Sequence, residues 1–155
     1  MTTDDPRILL RSAIAAIRGC ADTMEAQGAN LQQALPRLPV NEALRPAVLG
    51  LASGLKDTAG RVTFELALLE AEISEGRVDA ADFVQRLSNM DSSMMMALDG
   101  IADVAGQLEK SAEDDERLEP AFAFLMQAAR LMLSKFGDAR TATEVLVAGN
   151  DNSHS

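Results

Sequence analysis

Histidine, tryptophan and tyrosine are almost or wholly missing from this chain. Its 155 residues hold one histidine, His154, one cysteine, Cys20, and no tryptophan or tyrosine. Without an internal histidine, His-based general base catalysis, His phosphotransfer and His-ligated metal sites drop out. Cys20 has no second cysteine to bridge with, which fits a reducing compartment, and no histidine to activate it as a nucleophile. It reads as a small buried hydrophobe. Positive charge is also scarce, with 14 Lys and Arg against 24 Asp and Glu, a formal net charge of −10. Nucleic acid and anionic lipid both demand clustered cations, so neither is an expected partner. No apolar run reaches the ~20 residues that span a bilayer. The polar, acidic start Met1–Arg7 is unlike the basic opening of a secretory signal, and the expectation is a cytoplasmic protein.

What is present is Ala, Leu, Met and Val, within a hydrophobic share of 47% that is enough for one packed domain of this length. Helical periodicity runs nearly throughout. Asp5 is a candidate cap for a first helix, with Pro6 at its first position. Leu10, Ile14, Ile17, Ala21, Met24, Gly28, Leu31 and Leu35 then alternate four and three apart, a heptad seam. Gly28 on that seam predicts a close-passing neighbour, and Pro36 and Pro39 end the helix. Asn41 is a candidate cap for a second helix striped by Leu44, Val48, Leu51, Leu55, Ala59, Val62, Leu66, Leu69 and Ile73, supported by Asp57–Arg61 and Arg61–Glu65 pairs four apart. Ser74-Glu75-Gly76 breaks it.

A third helix starts near Asp79. A face through Phe83, Leu87, Met90 and Met94 is preferred to one that buries Asp91, because an unpaired carboxylate in the core is costly. Two starts compete for the fourth helix, a cap at Ser111 with an acidic first turn, or Pro120. Ala121 to Phe136 is apolar nearly all round, relieved only by Gln127, Arg130 and Ser134. A helix of that kind is central or covered by a partner, and the expectation is a homodimer that buries it, with Phe124 and Leu131 at the interface. Gly137 offers one end for the helix and Val147 another. Together these segments predict an all-α fold, an antiparallel bundle of three to four long helices over residues 1–148, followed by a loose polar tail at 149–155.

Three groups are candidates for chemistry. Met90, Met94, Met95 and Met96 serve a core, a pliable partner surface or a soft metal. Glu65, Glu70, Glu72 and Glu75, with Asp99 and Asp103 on the next helix, are the carboxylates a Mg²⁺ enzyme would need, although a solvated charged face is the simpler reading. No metal site is assigned. The third group is Asp99, Gly100, Asp103, Gly106 and Gln107, which share the outer face of the third helix. Asp103 and Gln107 are neighbours one turn apart. A glycine inside a helix costs about 1 kcal/mol against alanine, and two lie on this line. Either a neighbouring helix packs on them, or a bare stretch of backbone lets another protein approach.

The segment Ile101-Ala102-Asp103-Val104-Ala105-Gly106-Gln107 resembles the catalytic segment of the CheZ-type phosphatases of bacterial chemotaxis, whose motif is Asp-x-x-x-Gln on an exposed helix face. The resemblance implies a protein that docks on a phosphorylated response-regulator receiver. Gln107 would orient the water that attacks the aspartyl phosphate, and Asp103 would pair with the receiver's lysine. Asp99, Gly100 and Gly106 would line the contact, and Mg²⁺ would be supplied by the receiver. The family's architecture is a long hairpin that dimerises into a four-helix bundle. A non-enzymatic adaptor or chaperone, gripping a partner helix through the apolar fourth helix, is the alternative.

Overall fold

The computed structural model describes residues 6–40, 42–77 and 79–152. The candidate caps Asp5 and Asn41, and His154, lie outside the described residues. Four long helices make up nearly everything else: α1 (Pro6–Ala34), α2 (Arg45–Ser74), α3 (Ala80–Asp114) and α4 (Glu119–Asn152). No strand occurs among the described residues. Short 3-10 turns at Leu35–Arg37 and Glu116–Leu118 help to join α1 to α2 and α3 to α4.

The breaks follow from local chemistry. Pro36 and Pro39 lack the amide that would continue α1, and Leu38 turns extended. Gly76 adopts φ +78°, the left-handed conformation that glycine alone enters without strain, and α2 stops two residues before it. Asp79 caps α3 by accepting a hydrogen bond from the Asp82 amide at 3.3 Å. The fourth helix begins at Glu119, with Pro120 in its first turn. Ser111 therefore lies inside α3, and Asp115 is the residue that accepts from the next turn, bonding the Arg117 amide at 3.1 Å. Neither Gly137 nor Gly149 interrupts α4, whose helical hydrogen bonding continues to Asn152.

Each helix packs against its chain neighbours, and α4 closes the bundle against α1. Helices α1 and α3 touch only slightly across the diagonal, whereas α2 and α4 do not meet. The seam between α2 and α3 is the loosest of the four. One continuous core runs along the axis, built from Ile17, Met24, Leu55, Leu66, Leu87, Met94, Leu108, Leu125 and Met132 among others. Burying a side chain of that size stabilises by roughly 1.5–3 kcal/mol, so the bundle rests on these four inner stripes. All eight residues of the expected α1 seam are buried, Gly28 included. A Cβ on Gly28 would stand 2.9 Å from the Ala52 carbonyl oxygen and 2.8 Å from Lys56 Cγ, so α2 does pass close there.

Two expectations change in detail. Asp91 lies beside the inner face rather than on it, yet its side chain keeps only 17% of its exposure. The carboxylate is tolerated because Arg140 of α4 donates to Oδ2 at 3.0 Å, while Oδ1 is buried without a partner among the described residues. Arg140 also lies 5.0 Å from the centre of the Phe136 ring, an arrangement that holds it over its acid. The expected pairs of Arg61 with Asp57 and Glu65 do not form, and Arg61 donates instead to the Thr58 hydroxyl at 3.4 Å.

Candidate functional site: the outward face of α3

Two of the three candidate groups are absorbed by the fold. Met90 and Met94 are core residues, and only Met95 and Met96 reach the surface. The acidic end of α2 is a set of ion pairs. Glu70 meets Arg18 of α1, Glu72 accepts from Arg86 of α3 at 2.6 Å, Glu65 lies 3.7 Å from the same guanidinium, and Glu75 pairs with Arg77. Arg86 also reaches Asp82 and sits over the Phe83 ring, and the hydrogen bond it donates to Glu72 raises its pKa above the ordinary arginine value. Among the described residues no three His, Cys, Asp or Glu side chains are grouped to hold a metal ion. Cys20 is fully buried, and burial first, then the charge of Asp91, push its thiol up to about 11. A thiol so far from ionising is a poor nucleophile near neutrality.

The third group stands differently. The inner stripe of α3, from Phe83 through Leu87, Met94, Leu98 and Ile101 to Leu108, turns the opposite side of the helix to solvent. Asp99, Asp103, Gly106 and Gln107 are all exposed on that side, and Gly100 is half-buried at its edge. The side chains of Asp103 and Gln107, one helical turn apart, make no hydrogen bond or ion pair with other described residues. Nothing lies within 4 Å of a Cβ built on Gly106. Packing inside the chain therefore does not account for this glycine. Gly100 is less open, since a Cβ there would make an ordinary contact with Leu51 Cδ1 at 3.5 Å.

Two exposed residues extend this face beyond the sequence-predicted set. Met96, 76% exposed, precedes Asp99 by three residues, and Lys110 follows Gln107 by three. The spacing from Asp103 at helical period would have found both. The result is a strip with an apolar end, two carboxylates, a bare backbone patch, a carboxamide and an ammonium. Such a strip can hydrogen-bond to and orient groups on a partner, but it holds no base or nucleophile beyond the two carboxylates.

The expected α4 interface is divided by the fold. Phe124 is half-buried against the core of its own chain, whereas Leu131 and the neighbouring Leu133 are about half exposed, at 50% and 53%. Most apolar residues of α4, including Ala121, Leu125, Ala128, Met132 and Phe136, are spent inside the bundle. The apolar circumference thus marks a helix that closes the core, with Gln127, Arg130 and Ser134 on the outside.

Between α2 and α3 lies a shallow groove of about 370 Å³, lined by Thr58, Arg61, Glu65, Arg86, Asn89 and Ser93. Arg86 is already committed to three carboxylates there. Among the described residues, no helix is long and apolar enough to cross a membrane. No protein-family model, curated protein or solved structure matches this chain.

Proposed function

We propose that the outward face of α3 docks on a phosphorylated response-regulator receiver and promotes hydrolysis of its aspartyl phosphate. The observation that carries this reading is the pair Asp103 and Gln107, exposed one turn apart and unengaged, beside a glycine with open space over it. In the reaction, water attacks phosphorus and the bond from phosphorus to the aspartyl oxygen breaks. Inorganic phosphate and a free carboxylate result. The Gln107 carboxamide accepts from and orients the water, and Asp103 pairs with a cation at the rim of the receiver's site. Gly106 lets the two backbones come together. The receiver brings Mg²⁺, and this chain supplies alignment only, which is most of what phosphoryl transfer asks of a protein.

The test follows phosphate release from phosphorylated receivers with added wild-type chain or Gln107→Ala. Release accelerated by the wild type, and slowed on the order of 10²-fold by the substitution with binding retained, is expected. A wild-type rate equal to the receivers' own rate across all receivers of the source organism rejects the proposal.

The exposure of Leu131 and Leu133 favours a second reading, an adaptor that grips an apolar partner helix on α4. In that case Leu131→Asp abolishes partner binding and Gln107→Ala leaves it intact.

A further inference from the structure

The outward face of α2 carries a pattern that neither the core nor the α3 site uses. Leu49, Phe64 and Leu68 are 44%, 64% and 41% exposed, and all three point away from the bundle. Phe64 is the most exposed of the large apolar side chains after Met96. Gly50, Gly54 and Gly60 share this face, and a Cβ on any of them would meet nothing within 4 Å. Asp57 and Arg61 are exposed on the same face. Arg61 forms no salt bridge among the described residues, only the bond to Thr58, and the Asp57 carboxylate has no partner there. Exposed Phe and Leu together with three helix-interior glycines is an expensive surface to leave in water.

The order of these residues is self-complementary when read in opposite directions. Gly50 and Gly54 are four apart, as are Phe64 and Leu68, and the acid and the base lie between the two sets in sequence. We propose that α2 pairs antiparallel with α2 of a second copy of this chain, about a two-fold axis level with Ala59. In that register Phe64 and Leu68 of one copy lie over Gly54 and Gly50 of the other. Asp57 of each copy faces Arg61 of its mate, so both charges are answered twice. An isologous contact requires one patch to supply both halves of every pair, and this patch does so in size and in charge. A basic or acidic foreign helix would leave one of the two charges opposed by its like. Contact from Leu49 to Leu68 runs roughly 30 Å along the helix. The pairing uses α2 rather than the α4 surface expected from composition, and it is independent of the receiver proposal because the α3 strip belongs to another helix.

Mass measured by light scattering on the full chain at micromolar concentration tests the pairing, with circular dichroism confirming that each variant stays helical. The wild type is expected at twice the 16.5 kDa of one chain. Phe64→Glu raises the dimer dissociation constant by on the order of tens-fold, as loss of a central aromatic anchor does. Asp57→Arg alone and Arg61→Asp alone each dissociate the dimer, and the double substitution Asp57→Arg with Arg61→Asp restores it. A monomeric wild type overturns the proposal. So do single charge reversals that leave a dimer intact, or a helical double variant that stays monomeric.

Discussion

Gly28 in α1 and Gly106 in α3 are both glycines in the middle of long helices, and their surroundings are opposite. At Gly28 the backbone of α2 is so near that a methyl group would stand 2.9 Å from a carbonyl oxygen, whereas at Gly106 nothing lies within 4 Å. The first glycine is explained by packing inside the chain: it lets two helices approach and the core close. The second costs its helix about 1 kcal/mol and no contact within the chain repays it. Gly50 and Gly54 on α2 belong with Gly106. An inner seam thus spends glycine on stability, and the outward faces of α2 and α3 carry it at the expense of stability. Gly19 of α1 and Gly137 of α4 are as open, so what sets the α2 and α3 faces apart is the company of their glycines, the exposed Phe64 on one and the unengaged Asp103 and Gln107 on the other.

The contrast is sharpest under substitution. Gly28→Ala forces a methyl into the α1–α2 seam against backbone, and a loss of about 1–3 kcal/mol is expected in urea denaturation. An unchanged midpoint would mean that the seam is slack and the contrast empty. Gly106→Ala is expected to do the reverse and stabilise by up to ~1 kcal/mol, and under the proposed function it also weakens docking on the receiver. A destabilised Gly106→Ala would show that the exposed face is engaged within the chain. The last effect belongs to the interior and shows only in alkaline solution. The Cys20 thiol ionises near 9 when the chain is unfolded and near 11 when it is buried, so its contribution is complete below pH 9 and fades as pH rises towards 11. Over that range the denaturation midpoint of the wild type falls more steeply than that of Cys20→Ala. Equal slopes would place the thiol in contact with water.

Much of this bundle is legible in the sequence because its helices obey local rules. The proline pair after α1, the glycine after α2, and Asp79 before α3 act within one turn of where they stand, so each break is readable from its own residues. The inner stripes are readable because burial repeats with the helix. What was not legible depends on two segments at once. Ser111 satisfies every local rule for a cap, yet α3 continues through it, with Ser111 and Ala112 half-buried, and ends at Asp114. Asp91 is affordable only because Arg140, 49 residues later, lies across the seam. In the α3 strip, the positions of Asp103 and Gln107 on the outer face followed from periodicity alone. The α2 face is hidden from apolar periodicity, because its glycines lie outside the buried stripe. The spacing of Gly50 and Gly54 against Phe64 and Leu68 was the available signal.

The Asp91–Arg140 pair has a consequence beyond tolerance of a buried acid. Apolar stripes made largely of Ala, Leu and Met are forgiving, and α4 could slide by a turn against α3 with its greasy side still inward. A slid helix would strand the carboxylate in the core without its guanidinium, so the pair works as an alignment pin that penalises every wrong register while adding little to the right one. Together with the buried stripe from Phe83 to Leu108, that pin holds the rotation of α3 about its own axis, and with it the direction in which Asp103 and Gln107 face. A residue of the adjoining helix thereby helps to aim a surface it does not touch.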